Sequence, residues 1–265
     1  MSDLIETSEG GITTLTMNRP EARNAMSGDM MKALHEAVPR LAQDPDVRLV
    51  VLTGAGGAFC AGGDVKSFAS QASKGGSPMS PEMRVQGLRI GMELSKLLHE
   101  MAKPTLAIIP GPAAGAGLSL ALACDMRIAA DTAKLTTAFS KVGLSGDYGG
   151  SYFLTYLVGA AKARELYFTG EVIMAPEAQA LGIINRVVPA AELAEAAKAY
   201  AQQIAALPTI ALGYMKKNLN AALHGSLSDV LDLEATHMIS SFATDDHKNA
   251  ALAFVSKEKP VFSGT

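Results

Sequence analysis

The 265-residue sequence contains no tryptophan, only two cysteines and few charged residues. Cys60 and Cys124 have no CxxC spacing and no histidine close by, which argues against a disulfide framework or a thiolate metal site. We therefore expect buried thiols in a reducing cytoplasm. Charged residues make up 18 % of the chain, against roughly 25 % in typical globular domains. This shortage favours an oligomer, in which part of the surface is buried between subunits.

Basic clusters and long apolar runs are also missing. The formal net charge is −3 and the pI is near 6.0, so nothing predicts nucleic-acid binding. The apolar stretches are interrupted by Gly, Pro or Ser and are too short to span a membrane. The acidic and polar segment 1–10 is unlike a signal or transit peptide. We expect a cytoplasmic protein that binds neither nucleic acid nor membrane.

Strand and helix patterns cover most of the chain. Alternating or continuous apolar runs predict strands, at 11–17, 47–53, 104–109, 126–130 and 181–188. Helical spacing predicts helices, at 28–41 after an N-cap at Ser27, 83–102, 118–123, 159–168, 190–207, 210–224, 227–242 and within 244–265. The Ser-, Gly- and Pro-rich segment 70–81 favours a loop that could cover a site. The pattern predicts an α/β core over residues 1–200 and a helical region over residues 201–265.

Two glycine-rich segments could place backbone amides against a ligand. Residues 59–64 read Phe-Cys-Ala-Gly-Gly-Asp, and glycine lets the main chain approach a ligand because no Cβ intervenes. Residues 111–117 precede a short apolar helix, whose N-terminus offers unpaired N–H groups to an oxyanion. The alternatives are a plain turn for the first and tight helix packing for the second. Neither matches a dinucleotide or P-loop motif.

A third segment, 143–150, carries the carboxyl group of Asp147 between glycines. Partial desolvation there would raise its pKa and make it a better base. The alternative is an N-cap for the following helix. Ser119 resembles a nucleophile elbow only loosely, because no strand directly precedes it. The five histidines lie in helical patterns without metal-ligand spacing, and no metal or cofactor is expected.

These segments, in this order and at this spacing, resemble the enoyl-CoA hydratase/isomerase (crotonase) family. The resemblance begins at 15–26, includes 59–64 and 103–125, and ends at 254–262. It implies a spiral of ββα turns with a helical C-terminal trimerisation region, so members form trimers or dimers of trimers. It implies coenzyme A thioester substrates and a place in fatty acid metabolism. The thioester oxygen would be held by the backbone N–H groups of Gly63 and Ala116.

The resemblance also assigns coenzyme A contacts, and at two positions this sequence departs from the family pattern. The contacts map to residues along the chain, with the last two from the same or a neighbouring subunit: Arg23, Ala61, Asp64, Lys66, Phe254 and Lys257. Hydratases of the family usually hold water between two glutamates, and those positions are Ser119 and Phe139 here. Neither side chain can act as a carboxylate base, which leaves Asp147, with Tyr148 beside it as a pocket residue.

One carboxylate suffices to take a proton from one carbon of an acyl chain and return it two carbons away. Hydration also needs a positioned water and usually a second proton-transferring group. We therefore expect a double-bond isomerase that uses Asp147, with hydration as the alternative. A non-catalytic acyl-CoA-binding trimer is a second alternative, and a serine hydrolase through Ser119 is a distant third.

Overall fold

The computed structural model describes residues 2–64, 70, 73 and 79–265. Its strands are β1 (Leu4–Glu9), β2 (Ile12–Met17), β3 (Leu49–Gly54), β4 (Thr105–Ile109), β5 (Ala113–Ala114), β6 (Met126–Ala130), β7 (Lys134–Thr136), β8 (Ile173–Met174) and β9 (Arg186–Val188). Its α-helices are α1 (Gly28–Gln43), α2 (Pro81–Gly91), α3 (Glu93–Glu100), α4 (Ala116–Ala123), α5 (Gly150–Thr169), α6 (Ala175–Ala180), α7 (Leu193–Ala205), α8 (Thr209–Ala222), α9 (Leu227–Phe242) and α10 (Asp245–Ser256). Most of the loop predicted at 70–81 lies outside the described residues.

The strands form two sheets. The larger has the order β1-β2-β3-β4-β6-β9, in which β1 and β2 are antiparallel and the other neighbours are parallel. The smaller has the order β5-β7-β8. The short strand β5 follows β4 and precedes α4. The second glycine-rich segment, 111–117, therefore lies at the end of a central strand.

Strand β3 explains why a continuous apolar run was the correct signal for a central strand. Leu49 and Val51 are buried in a cluster with residues of α7, such as Tyr200, on one face of the sheet. Val50 and Leu52 are buried in the cluster on the other face, which includes residues of α1, α3 and α4. Because side chains alternate along a strand, burial on both faces requires every residue to be apolar.

Several predicted elements differ from those observed. The helix predicted at 83–102 is divided into α2 and α3 at Met92, whose N–H donates within the preceding turn. The strand predicted at 181–188 is confined to Arg186–Val188, and the helix before it was not predicted. Strand β1 was also missed, because it is an edge strand in which only Leu4 is buried. An edge strand needs no apolar pattern when most of it faces solvent.

The C-terminal helices α8, α9 and α10 confirm the prediction of a mixed α/β protein with a helical C-terminal region. Lys216 of α8 ties this region to the core, since its buried Nζ donates to Asp125 Oδ2 at 2.8 Å and to the Leu98 carbonyl oxygen at 2.9 Å. Among the described residues, no helix has both the length and the apolar character needed to cross a membrane.

Candidate active site

Residues 59–64 and 111–117, here called the glycine turns, lie against each other. The N–H of Ala114 donates to the carbonyl oxygen of Cys60 at 2.9 Å. A Cβ added at Gly62 would stand 3.2 Å from the amide nitrogen of Ala116, and one added at Gly117 would stand 2.4 Å from the Cys60 oxygen. Glycine is required at both positions, because the two backbones approach too closely to admit a side chain.

The backbone amides of Gly63 and Ala116 belong to the glycine turns. Within the described part of the chain, neither the N–H of Gly63 nor that of Ala116 donates a hydrogen bond. Ala116 is the first residue of α4, where N–H groups have no intrahelical acceptor and the helix dipole contributes partial positive charge. Both features suit an oxygen atom that gains negative charge.

Buried Asn24 holds the first glycine turn in place. Its Nδ2 donates to the carbonyl oxygens of Ala55 and Ala58, both at 2.9 Å. The Cys60 thiol donates to the Asn24 carbonyl oxygen at 3.0 Å, and burial raises the pKa of this thiol to about 12, so it stays protonated. No sequence pattern predicts this role for Asn24, since a buried asparagine has no distinctive signature.

Buried Arg127 holds the far end of α4. Its Nη1 donates to the carbonyl oxygen of Cys124 at 2.6 Å, and its Nε donates to that of Ile183 at 2.6 Å. A cation at a helix C-terminus is favourable and satisfies carbonyl groups that lack an intrahelical donor. The helix that presents the Ala116 amide is therefore fixed at its opposite end. This residue was also missed by the sequence analysis.

Asp147 lies just before α5 and does not cap it. The N-cap residue is Gly149, without a side-chain cap, so the capping alternative is wrong. Asp147 Oδ1 is buried and has no hydrogen-bond partner among the described residues. Burial raises the pKa of this carboxyl group from 3.8 to about 6. A desolvated carboxylate without a donor is a competent general base.

Aromatic and hydroxyl side chains surround this carboxyl group, and we call Ser119, Phe139, Asp147, Tyr148 and Tyr167 the Asp147 cluster. Burial, followed by the proximity of Asp147 and Cys60, raises the pKa of Tyr148 to about 12. Burial and then Asp147 also raise the pKa of Tyr167, whose ring stacks on Phe139 with centroids 6.0 Å apart. Tyr167 was missed, because a tyrosine within a helical pattern looks like a packing residue.

Ser119 is not arranged as a nucleophile. It is 1 % exposed, and its Oγ donates to the Gly115 carbonyl oxygen at 3.2 Å within its own helix. No described histidine is hydrogen-bonded to it, so the distant hydrolase alternative has no base. Nor do any three His, Cys, Asp or Glu residues in the described ranges group in a way that could hold a metal ion.

The expected coenzyme A contacts are spread over three places. Arg23 is exposed and its carbonyl oxygen accepts from the N–H of Ala61 at 2.9 Å, so both border the first glycine turn. Asp64 lies 3.7 Å from Nη1 of Arg19. Lys66 lies outside the described residues. Phe254 and Lys257 lie at the end of α10, where Phe254 is 84 % exposed.

Known proteins resemble the whole chain. The sequence profile described as Enoyl-CoA hydratase/isomerase matches residues 7–265. The 1,2-epoxyphenylacetyl-CoA isomerase of Escherichia coli K12 is 36 % identical over 97 % of this chain and 96 % of its own length. The short-chain-enoyl-CoA hydratase of Clostridium acetobutylicum is 32 % identical over 98 % and 97 %. A crystal structure of an enoyl-CoA hydratase from Polaromonas sp. JS666 superimposes with a TM-score of 0.90 at 35 % identity, covering 98 % of this chain and 99 % of that one.

Proposed function

Since the chain belongs to the enoyl-CoA hydratase/isomerase family and is an enzyme that acts on acyl-CoA thioesters, we propose that it isomerises its substrate by proton transfer through Asp147. The carboxylate removes a proton from the carbon beside the thioester carbonyl. The same carboxyl group then returns the proton two carbons further along the acyl chain. The name of the Escherichia coli relative, an acyl-CoA isomerase, supports this direction.

The observation that carries the proposal is the buried, unpartnered Oδ1 of Asp147. A general base works best when its pKa lies near the working pH. Burial brings the pKa of Asp147 to about 6, so the group is ionised at neutral pH yet holds a proton readily. Because no described residue donates a hydrogen bond to Oδ1, its negative charge is not stabilised and the oxygen remains basic.

The amides of Gly63 and Ala116 are proposed to stabilise the enolate that forms when the proton leaves. Negative charge then develops on the thioester oxygen, and preset N–H donors need no reorganisation to receive it. Each donor of this kind contributes about 3 kcal/mol to transition-state stabilisation. Their freedom from other acceptors and the contact between the glycine turns support this role.

Isomerisation is favoured over hydration by the side chains at positions 119 and 139. Ser119 is engaged with its own helix, and Phe139 is an apolar ring stacked on Tyr167. Neither can deprotonate a water, so Asp147 is the one carboxyl group of the cluster. A single carboxylate performs a proton shuttle but lacks the second group that hydration usually requires.

Coenzyme A is proposed to bind along Arg23, Ala61, Asp64 and Lys66, with Phe254 and Lys257 supplied by a neighbouring subunit of a trimer or dimer of trimers. Exposed apolar side chains on the C-terminal helices support the oligomer, since large apolar patches mark interfaces. Among them Leu227 is 75 % and Ile239 is 68 % exposed. The free, buried Cys60 and Cys124 support a cytoplasmic location.

The test is a panel of 2-enoyl-, 3-enoyl- and arylacetyl-CoA thioesters, assayed with the wild type and with Asp147→Asn. The exposed Asp29→Asn makes the same chemical change elsewhere and serves as the control. We expect Asp147→Asn to lower kcat on the best substrate by about 10²–10⁴-fold while coenzyme A binding is retained. Unchanged turnover in Asp147→Asn would remove Asp147 from the mechanism. A substrate preference for hydration over isomerisation would contradict the proposed reaction.

A further inference from the structure

The hydroxyl oxygens of Ser119 and Tyr167, both in the Asp147 cluster, lie close to Gly150. A Cβ added at Gly150 would stand 2.3 Å from Ser119 Oγ and 2.5 Å from the Tyr167 hydroxyl oxygen. The two oxygens are therefore neighbours, and the first turn of α5 passes them closely because residue 150 has no side chain. A polar pair of this kind is unexpected in a protein core unless each member has a partner.

The Tyr167 hydroxyl has no such partner. It neither donates to nor accepts from any residue that the structure describes. The group is also partly shielded from water, because the side chain is half-buried and its ring is stacked on Phe139 at an interplanar angle of 14°. Burial and Asp147 both raise the pKa of Tyr167. The phenol therefore remains protonated and presents an O–H donor.

Ser119 can accept a hydrogen bond, whereas Tyr167 can donate one. Its Oγ already donates to the Gly115 carbonyl oxygen, so what remains on this oxygen is acceptor capacity. The pair thus presents one free donor and one free acceptor. Such a pair is matched to a substrate oxygen, and most completely to a hydroxyl group.

Tyr167 packs against the segment that carries Asp147, and we call this side of the site the Asp147 wall. A Cβ at Gly146, the residue before Asp147, would stand 3.0 Å from Tyr167 Cε1 and 3.7 Å from Phe139 Cδ2. Tyr167 is therefore packed against the segment that carries Asp147, close enough for the carboxyl group to raise the pKa of its phenol. A substrate whose thioester oxygen is held by the glycine turns would direct its acyl chain toward this wall.

We propose that Tyr167 and Ser119 select acyl groups that carry an oxygen atom beyond the thioester carbonyl, with the Tyr167 O–H donating to that oxygen. The selection rests on the proposed function, because it assumes that the acyl chain passes Asp147. An all-carbon chain would cover the phenol without offering an acceptor, and removing a donor from water without a new partner is costly. A site built around a substrate oxygen therefore discriminates strongly against the analogue that lacks it.

The experiment compares 3-enoyl-CoA thioesters in matched pairs. In one series an ether oxygen replaces a methylene at each position beyond the double bond, and in another a hydroxyl replaces the terminal methyl. We expect the wild type to prefer an oxygen-bearing member by about tenfold or more in kcat/KM. Tyr167→Phe, which keeps the stacked ring but removes the donor, should abolish that preference, so that the ratio of kcat/KM between the two members of each pair falls to about one. Ser119→Ala should weaken the preference for the hydroxyl series alone.

A matched control is Tyr200→Phe, which removes a phenol hydroxyl bonded to Met126 Sδ on the other face of the sheet. It should retain the preference. Equal losses on both members of every pair in Tyr167→Phe, or no preference in the wild type at any position, would overturn the proposal. Calorimetric binding of the saturated ether and all-carbon thioesters to Asp147→Asn gives the same comparison without turnover. A preference there, without isomerisation by the wild type, would contradict the proposed function alone.

Discussion

The glycine turns and the Asp147 cluster adjoin each other at α4 but are built in opposite ways. In the glycine turns the main chain is held by backbone pairing and by Asn24, which donates to carbonyl oxygens just before the first turn, while within the described ranges the Gly63 and Ala116 amides donate no hydrogen bond. In the Asp147 cluster the side chains are buried or half-buried, and two polar groups, Asp147 Oδ1 and the Tyr167 hydroxyl, have no partner among the described residues. The first region is a backbone scaffold, and the second presents side-chain groups without a hydrogen-bond partner in that part of the chain.

This difference separates two tasks. A thioester oxygen is common to all acyl-CoA substrates, so a fixed pair of backbone donors can serve any of them. The proton that moves and the substituents near it differ between substrates, and side chains can be exchanged without rebuilding the backbone. Family members would then share the glycine turns and diverge in the cluster, where the resemblance implies that Ser119 and Phe139 replace the two glutamates of hydratases.

The largest disruption of the scaffold is expected from Gly117→Ala. The added methyl group would lie 2.4 Å from the Cys60 carbonyl oxygen and 2.7 Å from its Sγ, so one glycine turn must move. Overpacking of this kind costs about 1–3 kcal/mol in unfolding free energy, and displacement of the Ala116 amide should lower kcat on every substrate alike. Urea unfolding and steady-state kinetics measure the two effects.

Gly87→Ala is the matched control for that substitution. Gly87 lies within α2 with no neighbouring atom within 4 Å of an added Cβ, so the change should be neutral or stabilising by about 0.4–1 kcal/mol. Equal activity losses in both variants would contradict the scaffold role of the glycine turns. If Gly117→Ala lost activity on some acyl groups only, substrate specificity would depend on the glycine turns and not on the Asp147 cluster alone.

In the Asp147 cluster we expect a smaller effect, an increase in the free energy of unfolding when Asp147 is replaced. The folded-state pKa of Asp147 is raised from 3.8 to about 6, so the folded protein binds a proton more tightly than the unfolded chain. Stability therefore falls as pH rises from about 4 through about 6 and stays reduced above. Asp147→Asn removes this penalty. After allowance for solvent screening it should be more stable than the wild type by about 1–2 kcal/mol at pH 8 and equal to it below pH 4.

Thermal or urea unfolding at both pH values measures this difference, and exposed Asp29→Asn should show no such gain. A variant that is destabilised at pH 8 would mean that Asp147 is a structural residue whose carboxylate has favourable contacts. If Asp147 is a catalytic base whose burial destabilises the folded protein, Asp147→Asn should be both more stable than the wild type and inactive.

Features with a local signal in the sequence were predictable in both regions. The strand at β3 and the N-cap Ser27 follow from local patterns, because burial on both faces and capping leave direct traces in the sequence. The segment around Asp147 was also singled out, since a carboxyl group between glycines is unusual. These features depend on neighbouring residues along the chain.

Tyr167, Asn24 and Arg127 could not be found in the same way. The position of Tyr167 depends on α5, which contains a non-helical Gly159 with φ 75°, and on packing against Phe139 and Gly150. Asn24 contacts carbonyl groups more than 30 residues away along the chain, and Arg127 reaches Ile183. Long-range contacts of this kind have no periodicity, so their residues resemble ordinary polar or packing positions.

The most direct test of the central claim is hydrogen exchange at the carbon beside the thioester carbonyl. Phenylacetyl-CoA has such hydrogens but no double bond to move, and mass spectrometry in D₂O follows their exchange. The account predicts enzyme-catalysed exchange by the wild type and by Asp29→Asn, and its loss in Asp147→Asn with phenylacetyl-CoA still bound. Exchange by Asp147→Asn at the wild-type rate, or none by a wild type that binds phenylacetyl-CoA, would contradict it.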